Sequence, residues 1–423
     1  MTWQLWLAIF TICLVILALY KKLETRMVLL IAGLFMCLVV GQPIQALNAF
    51  IKGLTNSTLV PAICSVMGFA AVITATQCDK HLVAIMAKPL KKLGLLLIPI
   101  TTVLTVGINV AIMSAAGTAA CAGATFIPLL IRAGIRPAGA GAAVAAGTIC
   151  GLMANPGNAH NIYVANLSHM EVLQFIAFAL PYVVTLVILY VCINTVVAAF
   201  KYHDHRPNAS ELVGFEPDET SDFKVNYLKA FAPLIPLTVL ILKTIFTPKS
   251  GLDVTASMLI GTFIVAFISL FNPGELTKIF FQGMARGFSS IIGLIVAAGV
   301  FTAGLQATGA VSAFIDLLKS SNDVARWGAS LGPFVMALGT GSGEAATWAF
   351  NQAVTPSATE FGMTREGLGL LSVLAGQFGR TASPLAGAII IVAGLAKVSP
   401  MEISKRLLPG MFVATVVAGL LIV

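Results

Sequence analysis

The chain has 423 residues, of which 58% are hydrophobic and only 10% charged, with a formal charge of +8. So few charges cannot cover a soluble domain of this length, and the mean hydropathy of +0.95 with recurrent apolar runs of spanning length makes it a polytopic membrane protein. The runs do not alternate apolar and polar, which excludes a membrane barrel, and the basic residues gather in short loops rather than in a nucleic-acid patch.

The first apolar run, about 3–20, lacks a basic leader and a small-x-small cleavage site, so it reads as an uncleaved first helix. Helices are predicted near 26–41 and 58–77, with a weakly amphipathic stretch at 44–54 between them. A basic arm follows at 79–93, carrying Lys80, Lys88, Lys91 and Lys92. Two apolar stretches, 94–112 and 119–131, flank the patch Ser114-Ala115-Ala116-Gly117-Thr118. They read as a re-entrant hairpin over 94–132 with that patch at its tip. The segment 137–167 is broken at Asn155-Pro156-Gly157-Asn158, and a helix near 174–200 closes the half. The linker 201–228 is the one clearly polar stretch, with His203, His205, Pro207, Glu216, Pro217, Asp218 and Glu219. Its histidines have the look of a metal pair, but a solvated connector is the simpler reading. The second half runs through helices at 229–247, 255–271 and 288–306, an arm at 309–330, a hairpin at 331–360, a broken segment at 366–396 and a final helix at 406–423. Seven cysteines are scattered singly and form no metal spacing or disulfide framework.

The halves are in register. Ser114 and Ser342 lie 228 positions apart, and at the same separation Pro128 meets Pro356, Gly134 meets Gly362, Gly151 meets Gly379, Pro156 meets Pro384 and Pro181 meets Pro409. Further upstream the separation is 230, where Pro43, Phe50 and Gly53 meet Pro273, Phe280 and Gly283. One such match means nothing; a near-constant register is a duplication. Each copy is expected to cross the bilayer five times, with one re-entrant hairpin, and an odd number inverts the second copy. The loops that hold Lys21, Lys22 and Arg26, then the arm lysines, then Arg132 and Arg136, then Lys201, Arg206 and Lys224, are assigned to the cytoplasm. The arm of the second copy balances Lys319 and Arg326 against Asp316 and Asp323. Both termini are then periplasmic, the first arm and the linker cytoplasmic, and the second arm periplasmic.

Chemistry concentrates where the helices break. A helix that starts within the membrane presents free N–H groups, which suit a carboxylate, and an opposing helix end presents carbonyls, which suit a cation. Ser114, Thr118, Thr340 and Ser342 at the two tips are the first candidates to bind substrate; the alternative is that small residues there only permit close packing. The breaks Asn155-Pro156-Gly157-Asn158 and Thr381-Ala382-Ser383-Pro384 are repeat partners, and each proline frees a carbonyl. Asn155, Asn158, Thr381 and Ser383 therefore join the candidate pocket, unless the prolines make simple kinks. Arg380 lies at the second break, too deep to snorkel, opposite Leu152 in the other copy. Its planar fork matches a carboxylate; otherwise it pairs with Glu344 as a strut, or Glu344 gates it by taking a proton. His160 after the first break is a candidate proton carrier or a satisfied interhelical donor, and Asn109 and Asn161 are minor candidates of the same kind. No Ser-His-Asp, metal or paired-carboxylate constellation appears, so no enzyme activity and no cofactor is expected. Matching interrupted segments in the two copies are the pointer to the binding site of a secondary carrier.

The run Val296-Ala297-Ala298-Gly299-Val300-Phe301, the tip Thr340-Gly341-Ser342-Gly343, the run Gly379-Arg380-Thr381-Ala382-Ser383-Pro384 and the run Ala393-Gly394-Leu395-Ala396-Lys397-Val398-Ser399-Pro400 resemble the DcuC-type anaerobic C4-dicarboxylate carriers of the ion transporter superfamily. The resemblance covers nearly the whole chain. It implies succinate, fumarate, malate or aspartate as substrate class, exchanged or moved with sodium ions or protons across a bacterial cytoplasmic membrane. It also implies a homodimer with a fixed scaffold and an elevator-like moving unit. In that picture 1–78 and 229–308 are scaffold, while 94–200 and 331–423 move. Glu344, His160, Asn155 and Ser383 are the positions for a coupling cation or proton. Two features depart from the family pattern: Glu344 stands where an amide is usual, and Asn155-Pro156-Gly157-Asn158 replaces Thr-Ser-Gly-Asp.

Overall fold

A computed structural model describes residues 2–21, 23–57, 59–87, 96–112, 114–205, 224–246, 252–313 and 322–423. Lys22, Lys88, Lys91, Lys92, Asp316 and Lys319 lie outside the described residues, as does the linker stretch with Arg206, Pro207, Glu216, Pro217, Asp218 and Glu219. Every regular element among the described residues is helical. The first copy contains α1 (Trp3–Tyr20), α2 (Thr25–Val39), α3 (Pro43–Leu54), α4 (Leu59–Ala75), α5 (Cys78–Ala87), α6 (Leu97–Ala111), α7 (Ala115–Arg132), α8 (Pro137–Ala146), α9 (Ala159–Leu167) and α10 (Val172–Val196). The second contains α11 (Tyr227–Phe231), α12 (Ile235–Phe246), α13 (Val254–Ser269), α14 (Pro273–Gly287), α15 (Gly293–Ala307), α16 (Asn322–Thr340), α17 (Gly343–Ala353), α18 (Arg365–Ala382), α19 (Gly387–Ala396) and α20 (Pro400–Leu421).

Among the described residues six segments are long and apolar enough to cross a membrane: Ala115–Arg132, Pro137–Leu167, Val172–Lys201, Pro273–Ala307, Arg365–Ala396 and Pro400–Leu421. A seventh is the pair α3 and α4, bent by 49°, and four further apolar helices are shorter. Trp3, Trp6, Phe10, Ile31, Phe263 and Phe267 are exposed by more than half; such a surface suits lipid, not water. The chain is an all-helical, multi-span membrane protein.

Helix starts follow local chemistry. Pro43 and Pro273, repeat partners, are each the first residue of an amphipathic helix, where a missing N–H costs nothing. Asn272 caps α14, Asp253 caps α13 and Ser399 caps α20, each oxygen accepting an otherwise bare backbone N–H.

The copies interlock crosswise through glycine. A methyl group added at Gly53 would fall 2.8 Å from Val296, and one at Gly283 would fall 2.5 Å from Met67 O and 2.9 Å from Gly68 Cα. These pairs exchange copies: Gly53 corresponds to Gly283, and Gly68 to Val296. Within each copy the same repetition holds. A methyl at Gly151 would collide with the Val106 carbonyl and one at Gly379 with the Phe334 carbonyl, residues that again correspond at 228. Glycine lets these backbones touch, and both copies use it at the same place.

Three expectations need correction. In the first hairpin α6 ends at Ala111 with Ile112 as its C-cap, and Ala115 to Thr118 form the first turn of α7 rather than a loop. In the second copy α16 runs unbroken from Asn322, so position 331 is not an element boundary; Arg326 Nε donates to Val423 O and extends its packing against the C-terminal end of the chain. The linker starts docked rather than solvated. Asp204 is fully buried and paired with Arg406, whose Nη2 is 2.8 Å away and whose guanidinium lies 4.2 Å from the Tyr202 ring centroid. The His203 and His205 rings are 6.3 Å apart, and among the described residues no group of three or more metal-binding side chains occurs. The described start of the first arm also docks: Cys121 Sγ on α7 lies 3.4 Å from Asp79 Oδ2 on α5. Burial raises the Asp79 carboxyl above the usual carboxylate range, against the pull of the Lys80 N–H.

Candidate substrate site at the two helix breaks

The broken helices occupy the centre. Every residue of α8 is buried, which its Gly/Ala composition makes possible, and α18 is buried from Gly367 to Ala382 except at Arg380. Each is flanked by its own hairpin and by elements of the other copy.

The first break is closed by its own amides. Asn109 Nδ2 donates to Thr118 Oγ1 at 3.1 Å, and Asn109 Oδ1 accepts from Leu152 N at 3.1 Å. Asn155 Nδ2 donates to Val110 O at 2.5 Å while its Oδ1 accepts from Gly157 N at 2.7 Å. Asn161 Nδ2 reaches Met153 O and Asn155 O, both at 2.9 Å, and Leu152 O at 3.3 Å. Asn158 caps α9 through His160 N and contacts Asn161 Oδ1 at 3.4 Å. Ser114 caps α7 through Gly117 N at 3.1 Å. Carbonyls and N–H groups freed by the interruption are thus met from within the same copy.

The second break is built differently. Gly341 turns the tip at φ +75, and a methyl on it would fall 2.7 Å from the Leu385 backbone, so the tip sits on the break. Thr340 Oγ1 donates to Met336 O at 2.8 Å and accepts from Ser342 N at 3.2 Å. Ser342 is the N-cap of α17, yet its hydroxyl makes no capping bond. Ser383 Oγ accepts from Leu385 N at 3.3 Å, and both Ser383 and Thr381 are buried.

Glu344, in the first turn of α17, meets the other copy. His160 Nε2 on α9 lies 2.9 Å from Glu344 Oε2. Trp348 Nε1 donates to the same oxygen at 3.1 Å. The Trp348 ring stacks on His160 at 4.4 Å and meets Tyr163 edge-on at 5.0 Å. The Glu344 side chain is 40% exposed, against 4% for His160, so Glu344 is partly open while its partner is packed in.

Arg380 is near enough to attract Glu344 through space, but Glu344 is held by His160 and Trp348. The Arg380 Nε and Nη2 are buried without a hydrogen-bond partner, as is Gln377 Oε1 one turn earlier on α18. A strut between Arg380 and Glu344 is therefore not what forms. Bare guanidinium donors are costly inside a protein, and a planar fork with free N–H groups is a seat for a carboxylate.

The structure thus brings Glu344, Arg380 and His160 together, with Ser342 at the same tip. It keeps Thr118 and Asn155 in the amide network of the first break and Ser114 as the cap of α7. Trp348 and Gln377 escaped the sequence reading. A tryptophan in an apolar run and a lone amide carry no positional signal; only their place one turn from Glu344 and Arg380 could have marked them.

A Haemophilus influenzae transporter described only as uncharacterized is 41% identical over 276 residues, 63% of this chain and 99% of that protein. The anaerobic C4-dicarboxylate transporter DcuC of Escherichia coli K12 is 28% identical over 353 residues, 80% of this chain and 75% of that protein. A Vibrio cholerae protein named for the same transport is 28% identical over 355 residues, 80% of this chain and 76% of its own length. The family profile described as C4-dicarboxylate anaerobic carrier, DcuC, matches residues 49–423: the chain belongs to the DcuC family and is a transporter, not an enzyme.

Proposed function

We propose that the protein is a secondary active carrier of C4-dicarboxylates such as succinate, fumarate, malate and aspartate across a bacterial cytoplasmic membrane, by exchange or with a coupling cation or proton. One substrate carboxylate takes the free Nε and Nη2 of Arg380, and that pair of unpartnered buried donors is the observation that carries the reading. Ser342 Oγ and the N–H groups at the start of α17 hold the remainder. Glu344 with His160 is the proton site. Asn155 and Ser383 sit beside the carbonyls that would take a sodium ion.

The two copies lie in opposite orientation, with both termini periplasmic. The exchange-related glycine contacts support that arrangement. Residues 1–78 and 229–308, with the interlocked helices α2 to α4 and α13 to α15, are the scaffold, through which two copies of the chain associate. The hairpins, broken helices, α10 and α20 travel as an elevator. Labelled succinate trapped by counterflow in proteoliposomes, with and without a sodium or proton gradient, tests the reading. Flux that neither saturates nor responds to internal substrate would make the protein a passive channel instead.

A second reading is a carrier for an amino acid. The partly exposed side chain of Glu344 favours it, since an ammonium group can approach its carboxylate while Arg380 takes the carboxylate of the substrate. Aspartate competing far better than succinate would select it.

A further inference from the structure

Beyond Glu344 lies a row of polar side chains that substrate binding does not use. Thr347, Asn351 and Thr355 follow Glu344 on α17 and its extension at intervals of three, four and four residues, which is one helix face. All three are fully buried. Thr355 Oγ1 donates to Asn351 Oδ1 at 2.7 Å, but Thr347 Oγ1 and Asn351 Nδ2 have no partner. Ser372 on α18 is fully buried too, and its hydroxyl is also bare. The two helices run antiparallel: Gly341 abuts Leu385, while Gly343 and Thr347 both abut Gly376. Ser372, one turn before Gly376, is therefore level with Asn351. Pro356, next after Thr355, is exposed. The row spans about 16 Å at the helical rise, from the carboxylate to the protein surface.

The other copy shows that packing does not ask for these groups. At the separation of 228 the matching residues are Ala119, Gly123, Ile127 and Val144, all buried and all apolar. At these four matched positions the copy with the charged site has polar side chains and the other has none. Bare hydroxyls and amides in a native interior call for water, and a hydroxyl next to an amide offers a water molecule both donors and acceptors. The side chains are too deeply packed for a dicarboxylate to use this route.

We propose that this row is a hydrated file that carries protons between Glu344 and the protein face at Pro356, apart from the route of the substrate. The inference rests on the carrier reading above. A proton arriving along the file is taken by the Glu344 carboxylate, held against His160, and released on the opposite side of the membrane through the open substrate site once the moving unit has crossed; no other bond changes. The titratable groups facing Glu344 are His160 from α9 and Arg380 from α18. Residues 345–353, 327–340 and 367–379 and helix α15 carry no ionisable side chain, so water is the conductor.

The test plugs the file with Thr347→Val and Asn351→Leu in proteoliposomes. Uptake of labelled succinate driven by an imposed proton gradient falls by about tenfold or more, while succinate counterflow at equal pH, which moves no net proton, changes by less than about threefold. Thr347→Ser and Asn351→Ser restore driven uptake. Unchanged driven uptake overturns the proposal, and so does an equal fall in counterflow, which would make the residues packing or substrate contacts. Wild-type counterflow that no proton gradient can drive overturns it while leaving the carrier reading intact. Absence of wild-type counterflow with every C4 acid is a separate result, which overturns the carrier reading and the proton path with it.

Discussion

The two helix breaks descend from one sequence and have become unlike. In the first, Asn109, Asn155 and Asn161 spend their amides on the carbonyls and N–H groups that the interruption leaves bare. Their counterparts in the second are Ala337, Ser383 and Ile389. Charge has moved the other way: Leu152, Ile149 and Ala116 of the first copy correspond to Arg380, Gln377 and Glu344 of the second. The first break is a finished piece of structure. The second keeps unmet donors and acceptors, which a ligand can satisfy, and it draws His160 across from the first copy to hold Glu344 aside. On the function proposed above, only one of the two interruptions needs to be left open, and the other can be made rigid.

The comparison breaks most directly at Arg380. Arg380→Leu gives the second break its counterpart's residue. Succinate counterflow should fall on the order of 100-fold, the worth of a charge-assisted fork on a carboxylate. Thermal unfolding in detergent should stay level or rise, because an unpaired buried charge has gone. Full transport by this variant would mean that the open break is not the site.

The converse exchange is Asn161→Ile in the first break. Three carbonyls lose one donor, so the cost should be about 2–4 kcal/mol of stability, seen as a melting temperature lower by several degrees. The KM of the protein that remains folded should move little. A large KM shift without loss of stability would put the amide network in the substrate site and erase the distinction drawn here.

Where the copies agree, substitutions should agree. Gly151→Ala and Gly379→Ala each drive a methyl into a carbonyl of the hairpin limb that packs on the break, Val106 in one copy and Phe334 in the other. Both should destabilise by about 1–3 kcal/mol through overpacking. If only Gly379→Ala does so, the shared frame is weaker in the first copy than the contacts suggest.

What could be read in the sequence follows the same division. Helix starts at Pro43 and Pro273, the breaks before Pro156 and Pro384 and the glycine at the second tip are local events, set by missing N–H groups and by backbone freedom. They are visible in one dimension, and the constant register of 228 made them visible twice. Arg380 was visible because a charge at depth needs a reason. The partner of Glu344 was not. Sequence spacing offered Arg380, but side-chain direction on α17 points the carboxylate at Trp348, one turn on, and at His160, which is 184 positions away. The docking of Asp204 on Arg406 was hidden for the same reason, since a polar stretch reads as solvated until a buried partner is found for it.

The smallest expected effect is the most discriminating. Ser114 and Ser342 are repeat partners at the N-caps of α7 and α17, and only Ser114 accepts a backbone N–H. Ser114→Ala should therefore cost about 1 kcal/mol of stability, the usual worth of an N-cap hydroxyl, and leave the KM for succinate unchanged. Ser342→Ala removes no cap, so its unfolding curve should overlay the wild type, while KM rises by about three- to tenfold for one lost neutral hydrogen bond to substrate. The two alanines thus exchange their effects between stability and affinity. Were both to lower stability alone, Ser342 would be a cap that tightens in another state of the transport cycle, and substrate contact at the second tip would fall to the backbone N–H groups of α17.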